Sequence, residues 1–481
     1  MDLAAIRRDE ALGATRRLAR LASSLTYGDL DAPTRHAARR HILDTLGACL
    51  AGSHQAVTEA AAAVLAETLP AETPTAETPA VGAVPVPGRS RRADALSAAY
   101  LAGAGAHGLE LDDGYRAGSV HPGAVVVPAA LAAGYGLGAS GAALMTAVIA
   151  GYEATARIAA AAQPELRRRG FHATAATGVF GAAAAVGVLH GLDEDAMENA
   201  FGLAASSAAG LFAFIRGGDV KRLHPGHAAR EGLLAARLAA RGVAGPPGVL
   251  ECRDGFFHAF AGAGADASVG AGERDAAPID IFADWNGFAI TDCYIKPYPC
   301  CRHFHAALDA LFEILRAQDL APSQVAAIEV GTYAFAAAHG EAGWDSLASA
   351  QLSFPFVMAT ALHERTIALG HFSEASRNDP KITADCAKVR VTVDPVCEAK
   401  YPRLRPAKVT LRTTDGRAFH GAVDEPLGAP RNPLDDAALG AKYRDLAVPV
   451  LGAERAQATL EMLWRLDELA EVTGLCDTLA G

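Results

Sequence analysis

Leucine and alanine recur at helical spacing along the first half of the chain, with arginine and other polar residues between them. Residues 14–66 contain three such stretches, and almost every window from residue 93 to residue 243 continues the pattern. The stretch 123–152 carries no charge, but a proline and several glycines divide it, which predicts a buried helical hairpin rather than a membrane span. The uncharged stretch 173–189 predicts a central buried helix. Two further helices are predicted at 193–209 and 228–241, with breaks at 107–121, 134–141, 163–171, 190–193 and 216–226.

The pattern changes after about residue 270, where apolar and polar residues begin to alternate with period two. Helical patterns lie between the alternating segments, at 304–318 and 354–367, and the sequence Thr-Asp-Gly-Arg at 414–417 predicts a hairpin turn. From Asp435 onward the pattern is helical again. Half-buried strands are predicted at 327–334, 388–394 and 407–413.

These patterns predict a mostly α protein with two domains. The first is a large all-helical domain formed by both chain ends, residues 1–270 and 425–481, and the second is a smaller α+β domain, residues 271–424. Half of the residues are apolar but only 6% are aromatic, so alanine, valine, leucine and glycine must build the core.

Charge and cysteine usage narrow the class of protein. A formal net charge of −11 argues against a non-specific nucleic-acid binder. Eight cysteines without a framework spacing are typical of a reducing cytosol. Residues 1–10 have no apolar segment of a signal peptide, and a Glu-Thr-Pro repeat at 70–79 predicts a surface loop. We therefore expect a cytoplasmic protein that binds neither nucleic acid nor membrane.

The stretch 107–128 concentrates polar chemistry between apolar segments. It places Glu110, Asp112, Asp113, Arg116 and His121 within twelve residues, with glycines between them. Charges next to buried helices are costly unless they are paired or used, so this stretch is a candidate active-site wall. The alternative is a polar loop that caps the helix predicted to begin near residue 122.

Two further clusters adjoin predicted buried helices. His172 directly precedes the helix 173–189, where a helix N-terminus favours anions and lowers the pKa of an imidazole. Lys221, Arg222 and His224 lie in the predicted break between two helices, close to a pair of glycines. The alternatives are a capping histidine and a solvated basic loop.

A fourth cluster, residues 294–305, opens the predicted α+β domain. Adjacent Cys300 and Cys301 lack the ligand spacing of a structural zinc site, so no metal is expected. A catalytic thiol is another interpretation, because Lys296 and Arg302 would lower a cysteine pKa. His303 adds an imidazole to this group.

Cations and imidazoles from all four clusters suit a small polycarboxylate, since each carboxylate of such a substrate needs a cationic partner. They also suit removal of a proton next to a carboxylate, a step that needs a histidine base and fixed positive charge. No Gly-x-Gly-x-x-Gly fingerprint follows a strand, and no cofactor is expected.

Seven short motifs run along most of the chain: His107-Gly-Leu-Glu-Leu-Asp-Asp, His121-Pro-Gly-Ala, Gly151-Tyr-Glu, Gly170-Phe-His, Lys221-Arg-Leu-His-Pro-Gly, Lys296-Pro-Tyr-Pro-x-Cys and Pro430-Arg-Asn-Pro-Leu. In these motifs the chain resembles the MmgE/PrpD family, which includes 2-methylcitrate dehydratase, cis-aconitate decarboxylase and iminodisuccinate epimerase. The resemblance implies a helical domain, an α+β lid, a homodimer with its active site in the cleft between the two domains, and chemistry without a cofactor.

The resemblance also implies site residues. The site histidines of the decarboxylase branch fall on His121 and His172, and its site lysines fall on Lys221 and Lys296. Several positions differ from that branch, which weakens a decarboxylase assignment and leaves the dehydratase and epimerase branches open. This chain has Glu110 for aspartate, Gly114 for threonine, Cys301 for a third histidine, and Phe356 for an aromatic residue with a hydroxyl.

We therefore expect a lyase that acts on a small di- or tricarboxylate by α-proton abstraction, with dehydration favoured over epimerisation and decarboxylation. His121 and His172 would be base and acid, Lys221 and Lys296 would bind carboxylates, and Asp112 or Asp113 would orient His121. The non-enzyme alternative is an anion-binding scaffold with a degraded site. The expected substrate-binding residues are Glu110, Asp113, Arg116, Arg222, His224, Cys301, Arg302 and His303.

Overall fold

A computed structural model of the chain describes residues 12–67, 83–262, 280–283 and 287–481. The protein is mostly α, as the sequence predicts. Three interpretations of the sequence lie outside the described residues: the N-terminal segment, the Glu-Thr-Pro repeat and the first predicted domain boundary.

Helices dominate the first half of the chain, and their bounds follow the hydrophobic pattern closely. The helix predicted at 173–189 is observed with those bounds, and the stretch 123–152 forms a hairpin of two helices, as predicted. The elements are α1 (Ala14–Ser24), α2 (Ala32–Gly52), α3 (Ala56–Glu67), β1 (Val84–Val86), β2 (Arg89–Ala93), α4 (Ala95–His107), β3 (Gly114–Tyr115), α5 (Gly123–Leu137), α6 (Gly141–Ala162), α7 (Glu165–Arg168), α8 (Ala173–Leu189), α9 (Glu194–Ala205) and α10 (Val220–Ala239).

Strands and helices mix in the second half, and three helices follow at the C-terminal end. The predicted strands and the hairpin turn are confirmed within two residues. The elements are β4 (Cys293–Tyr294), α11 (His305–Gln318), β5 (Val325–Thr332), α12 (Ala334–Ala337), α13 (Leu347–Gln351), α14 (Phe354–Glu364), α15 (Glu374–Arg377), α16 (Pro380–Asp385), β6 (Val389–Val393), α17 (Pro395–Lys400), β7 (Ala407–Thr413), β8 (Ala418–Val423), α18 (Asp436–Leu451), α19 (Ala453–Trp464) and α20 (Thr473–Leu479).

The described residues form two compact units. The first contains those up to Gly108 together with those of Asp112–Cys293 and Asp435–Gly481, so both chain ends contribute to it. The second contains Leu109–Leu111 and Tyr294–Leu434. The chain therefore passes from one unit to the other after Cys293 and Leu434, where the sequence predicts boundaries after residues 270 and 424.

Small residues let the helices of the first unit pack closely. A Cβ atom added at Gly181 of α8 would lie 1.9 Å from Thr155 Oγ1 and 2.6 Å from the carbonyl oxygen of Gly151, both on α6. Every residue of α8 from Ala173 to Gly187 is buried.

One detail of the prediction is wrong: the first unit is not all-helical, because β1 and β2 form a short antiparallel pair.

The C-terminal helices are tied to the N-terminal ones by charged side chains. Lys442 of α18 pairs with Asp44 of α2, whose carboxylate is fully buried. Asp467 accepts hydrogen bonds at 2.7 Å and 3.0 Å from Arg39 and one at 2.6 Å from the hydroxyl of Tyr27. These contacts explain why residues far apart in sequence belong to one unit.

The pair between Lys442 and Asp44 gives a prediction for stability. Lys442→Met should lower the free energy of unfolding by about 3 kcal/mol, because it leaves a buried carboxylate without its cation. Burial already raises the pKa of Asp44, so the loss should be smaller in mildly acidic solution, where this carboxyl can take up a proton. Urea denaturation followed by circular dichroism measures the loss.

The matched control is Lys400→Met, which breaks a pair with Asp424 in which both side chains are exposed. That variant should lose less than about 1 kcal/mol, as exposed pairs usually do. Equal losses in the two variants would contradict the special role of the buried pair.

The second unit is built on a four-stranded sheet in the order β6-β5-β7-β8. Strands β5 and β6 are parallel, and the other neighbours are antiparallel. Alternate residues of β7 are buried, as its period-two pattern predicts. Apolar residues of α11 and α14 join those of β5 and β7 in one core. None of the described helices is both long enough and apolar enough to cross a membrane.

Candidate active site

A buried carboxylate lies between two imidazoles in the first unit. Helix α4 ends at His107, and the chain turns back through Asp112 before α5 begins after Pro122. Asp112 Oδ2 lies 2.6 Å from His107 Nδ1 and 3.2 Å from His121 Nδ1. Asp112 and His107 are buried, while 16% of the His121 side chain is exposed. The carboxylate therefore holds two histidine rings in fixed positions, and His121 is the more accessible of the two.

The hydrogen bonds of His121 define its tautomer. Its Nδ1 lies 2.6 Å from the carbonyl oxygen of Asp113, and a carbonyl oxygen can only accept a hydrogen bond. Nδ1 must therefore carry a proton, and in the neutral ring Nε2 carries none. A neutral His121 is thus prepared to accept a proton at Nε2.

The carboxylate of Asp113 contacts protein groups other than those around Asp112. It accepts hydrogen bonds from the hydroxyl of Tyr152 at 2.7 Å and from the backbone N–H of Gly123 at 3.0 Å. His41 Nδ1 lies 2.8 Å from the same carboxylate. Adjacent side chains of one loop therefore have different partners: Asp112 contacts His107 and His121, and Asp113 contacts His41, Tyr152 and the first turn of α5.

A second pair of imidazoles lies next to the first. His172 Nδ1 is 2.9 Å from His224 Nδ1, and the backbone N–H of His172 donates to the carbonyl oxygen of Gly210. The ring centroid of His107 lies 5.0 Å from that of His121 and 5.7 Å from that of His172. The first unit thus brings together four histidines that are far apart in sequence.

Burial disfavours the charged form of three of these imidazoles. It lowers the pKa of His107 to about 3 and that of His172 well below its usual value, and the neighbouring imidazoles lower the pKa of His172 further. The pKa of His224 is also lowered, mainly by burial. The sequence predicts a lowered pKa for His172 from the helix dipole, whereas burial is the main cause. Neutral imidazoles suit proton transfer better than the binding of carboxylates.

Positive charge comes from Lys221, in the first turn of α10. Its charge contributes to the lowered pKa of both His107 and His224, and its Nζ lies 5.9 Å from the ring centre of Phe214. The predicted break at 216–226 is wrong, because α10 begins at Val220 and continues through a proline. Arg222 lies on the same turn, 3.1 Å from Asp219, so its guanidinium already has a carboxylate partner.

Most of the remaining predicted residues belong to the second unit. Lys296 is buried, and its Nζ lies 3.2 Å from Glu110 Oε2. Arg302 donates to the carbonyl oxygens of Leu427 and Pro426, which gives it a structural role. His303 is hydrogen-bonded to the Tyr333 hydroxyl at 2.5 Å. Arg116 lies in a turn of the first unit, and its carbonyl oxygen accepts from the N–H of Ser119.

The cysteines of the second unit do not support the catalytic thiol. Burial raises the pKa of Cys300 well above its usual value and outweighs the opposite effect of Lys296 and Arg302. Cys301 is also buried, and its N–H donates to the carbonyl oxygen of Gln351. Phe356, at the position of the expected hydroxyl-bearing aromatic residue, is buried in the core of this unit.

Sequence reasoning missed His107 and His41 as parts of the site. His41 lies within a predicted helical stretch, where one histidine gives no signal by itself, whereas His107 opens the predicted break at 107–121. His107 stands five residues before Asp112 in the stretch 107–128. A histidine at the end of a helix that is followed closely by an acid is the sequence signal that could have identified this pair.

Among the described residues, His107, Asp112 and His121 offer ligand atoms within 4.8 Å of one another, which makes them a candidate metal-binding group. The Nδ1 of His121 carries a proton for the carbonyl oxygen of Asp113, so that nitrogen has no lone pair to give a metal. We interpret the group as a hydrogen-bonded carboxylate and two imidazoles.

A helical unit with a cluster of histidines and a smaller α+β unit agree with what family comparison finds. The model of the MmgE/PrpD N-terminal domain matches residues 16–267, and that of the MmgE/PrpD C-terminal domain matches residues 298–468. The chain therefore belongs to the MmgE/PrpD family and is an enzyme of the lyase type.

Similar curated proteins are cis-aconitate decarboxylases. The chain is 28% identical to cis-aconitate decarboxylase of Aspergillus terreus, over 97% of this chain and 96% of the relative. It is 27% identical to cis-aconitate decarboxylase-like protein oryM of Aspergillus oryzae, over 97% of each. Human cis-aconitate decarboxylase is 24% identical over 80% of this chain and 79% of its own length.

Proposed function

We propose that this lyase removes water from a small tricarboxylate of the 2-methylcitrate type, with His121 as the base and His172 as the acid. The observation that carries the proposal is the hydrogen bond from His121 Nδ1 to the carbonyl oxygen of Asp113. It leaves Nε2 of the neutral ring as the proton acceptor, and Asp112 stabilises the imidazolium that forms when a proton arrives.

The step balances with these two histidines. His121 Nε2 takes the proton from the carbon next to a substrate carboxylate, and the electron pair of that C–H bond forms the new C=C bond. The C–O bond breaks with its electron pair on the hydroxyl, which receives a proton from His172 and leaves as water. Lys221 offsets the negative charge that develops on the substrate carboxylate during proton removal.

Other parts of the proposal rest on the family resemblance. Lys296, which pairs with Glu110 in this structure, would bind a further carboxylate. A homodimer and a cytoplasmic location also stay predictions. No resident cofactor is assigned to any of the steps.

Decarboxylation is the second candidate, because the curated relatives are named for it. That reaction breaks the C–C bond to a carboxylate, shifts the C=C bond and adds a proton to carbon. It therefore needs only an acid, whereas dehydration needs both a base and an acid. Gly114, Cys301 and Phe356 differ from the residues expected in the decarboxylase branch, which weakens that assignment and leaves dehydration and epimerisation open. Epimerisation would use the same base and return the proton to the opposite face.

The test is to incubate the purified enzyme with 2-methylcitrate and with cis-aconitate in deuterated water and to follow both by NMR. We expect a tricarboxylic alkene from 2-methylcitrate, with deuterium entering the unreacted substrate at the carbon that loses its proton. Release of carbon dioxide from cis-aconitate, without reaction of 2-methylcitrate, would replace dehydration by decarboxylation. Binding of both acids without exchange or product would favour the anion-binding scaffold.

A further inference from the structure

The imidazole rings of His172 and His224 contact each other through the Nδ1 atom of each ring. Their Nδ1 atoms are 2.9 Å apart, and this is the one side-chain hydrogen bond that either ring makes among the described residues. A hydrogen bond needs a donor and an acceptor, so a single proton lies between the two nitrogens. The tautomer of each ring therefore depends on that of the other.

The surrounding backbone holds this pair in place. The carbonyl oxygen of Gly210 accepts the N–H of His172, and the N–H of Phe212 donates to the carbonyl oxygen of Gly170. Gly210 has φ +120°, and a Cβ atom there would lie 2.4 Å from that of Ala175 and 3.5 Å from the ring of His224. The glycine thus permits a close approach that a larger residue would block.

Space for a ligand adjoins His224. A cavity of the first unit is lined by His224 together with Gly210, Leu211, Phe214 and Val220. Lys221 lies on the same turn of α10 as His224, and its charge acts on that imidazole. An anionic ligand in this region would meet one ammonium group and a pair of imidazoles that share a proton.

We propose that His224 is the positioning residue of His172 and that the two rings act as one proton donor. The inference rests on the proposed function, in which His172 is the acid. When the Nδ1 proton belongs to His224, the Nδ1 of His172 accepts it, and a neutral His172 must then carry its own proton on Nε2. His224 in this way sets His172 in the tautomer that can donate to the leaving hydroxyl.

The proton balance follows from the shared hydrogen bond. The pair gains one proton from solvent when the anionic substrate binds, which places protons on both Nε2 atoms and one between the Nδ1 atoms. His172 Nε2 then gives its proton to the leaving hydroxyl, and the shared proton moves from His224 Nδ1 to His172 Nδ1. Both rings end neutral, and no imidazolate forms.

The experiment compares three substitutions of His224 in the full-length enzyme, with steady-state turnover of the acid that the wild type converts. His224→Ala should lower kcat by about 10- to 100-fold with little change in KM, the usual size of an effect on a residue that orients a catalytic group. His224→Asn places an amide near the position of Nδ1 and should recover part of kcat. His224→Gln places its amide near the position of Nε2 and should behave like the alanine variant.

His54→Asn is the matched control, since His54 is a largely exposed histidine of the first unit that pairs with Glu59, and the variant should keep wild-type kcat. Circular dichroism of each variant establishes that it is folded. Wild-type kcat in folded His224→Ala would overturn the inference, and so would a raised KM with unchanged kcat, which would make His224 a substrate-binding residue. Equal kcat in the asparagine and glutamine variants would also overturn it. Failure of the proposed function is distinct, because the wild type would then form no alkene from 2-methylcitrate, whatever the His224 variants do.

Discussion

Asp112→Asn is expected to lower turnover by about 10³-fold, within the range of about 10² to 10⁴ for loss of acid–base catalysis. The carboxylate contacts the Nδ1 atoms of both His107 and His121. When His121 takes the substrate proton it becomes a cation, and the negative charge of Asp112 stabilises that cation in a buried environment. Asparagine has a similar shape but no charge, so the ground state should survive while the step that creates the imidazolium slows.

The measurement is kcat with the acid that the wild type converts, together with the rate of deuterium entry into that substrate. Both rates should fall together, because Asp112 acts on proton removal. Asp445→Asn is the control, as Asp445 is an exposed carboxylate on α18 and its loss should leave both rates unchanged. A folded Asp112→Asn enzyme within about tenfold of wild-type kcat would contradict the role given to the carboxylate.

The sequence predicted much of this site because its chemistry lies in short segments between buried helices. His121 and His172 adjoin uncharged helices, where a buried polar group is costly unless it has a partner. The role of each acid was harder to predict. Asp112 and Asp113 are neighbours in sequence, and only the path of the loop determines that Asp112 contacts His107 and His121 while Asp113 contacts His41, Tyr152 and the N-terminus of α5.

Two expectations from the sequence, the break at 216–226 and a lowered pKa of Cys300, differ from the structure for physical reasons that the sequence pattern does not contain. Gly217, Gly218 and Pro225 predicted a loop, but α10 contains Pro225 in its second turn, where the chain approaches α4 closely. The pKa of Cys300 was expected to fall because Lys296 and Arg302 are near in sequence, yet burial of the thiol has the larger effect. In both cases the outcome depends on what packs against the residue, and packing partners come from distant parts of the chain.

The pairings that define the site are likewise long-range. His172 and His224 are 52 residues apart, and the contact between their rings depends on the pairing of residues 170–172 with residues 210–212. The sequence suggested that both histidines belong to the site, but it gave no reason to expect that they share a proton. The shared proton matters for function. A neutral histidine whose Nδ1 accepts a proton from another histidine carries its own proton on Nε2 and can act as an acid. A neutral histidine whose Nδ1 donates to a carbonyl oxygen has no proton on Nε2 and can act as a base.

His172→Ala should separate these two roles. We expect kcat for loss of water to fall by at least about 10²-fold, since the leaving hydroxyl no longer receives a proton. Deuterium should still enter the substrate at a rate closer to that of the wild type, because His121 keeps its hydrogen bond to the carbonyl oxygen of Asp113 and can still remove the proton reversibly.

His121→Ala provides the matched comparison, because removing the base should abolish both exchange and product formation. Lys221→Ala should lose at least about 10²-fold in kcat/KM, since it removes the ammonium group that stabilises developing negative charge. If His121→Ala keeps exchange while His172→Ala loses it, the two histidines have exchanged roles. If both variants keep near wild-type turnover, the imidazole cluster is not the catalytic centre. The ratio of exchange to elimination in the two histidine variants therefore decides which ring removes the proton and which one delivers it.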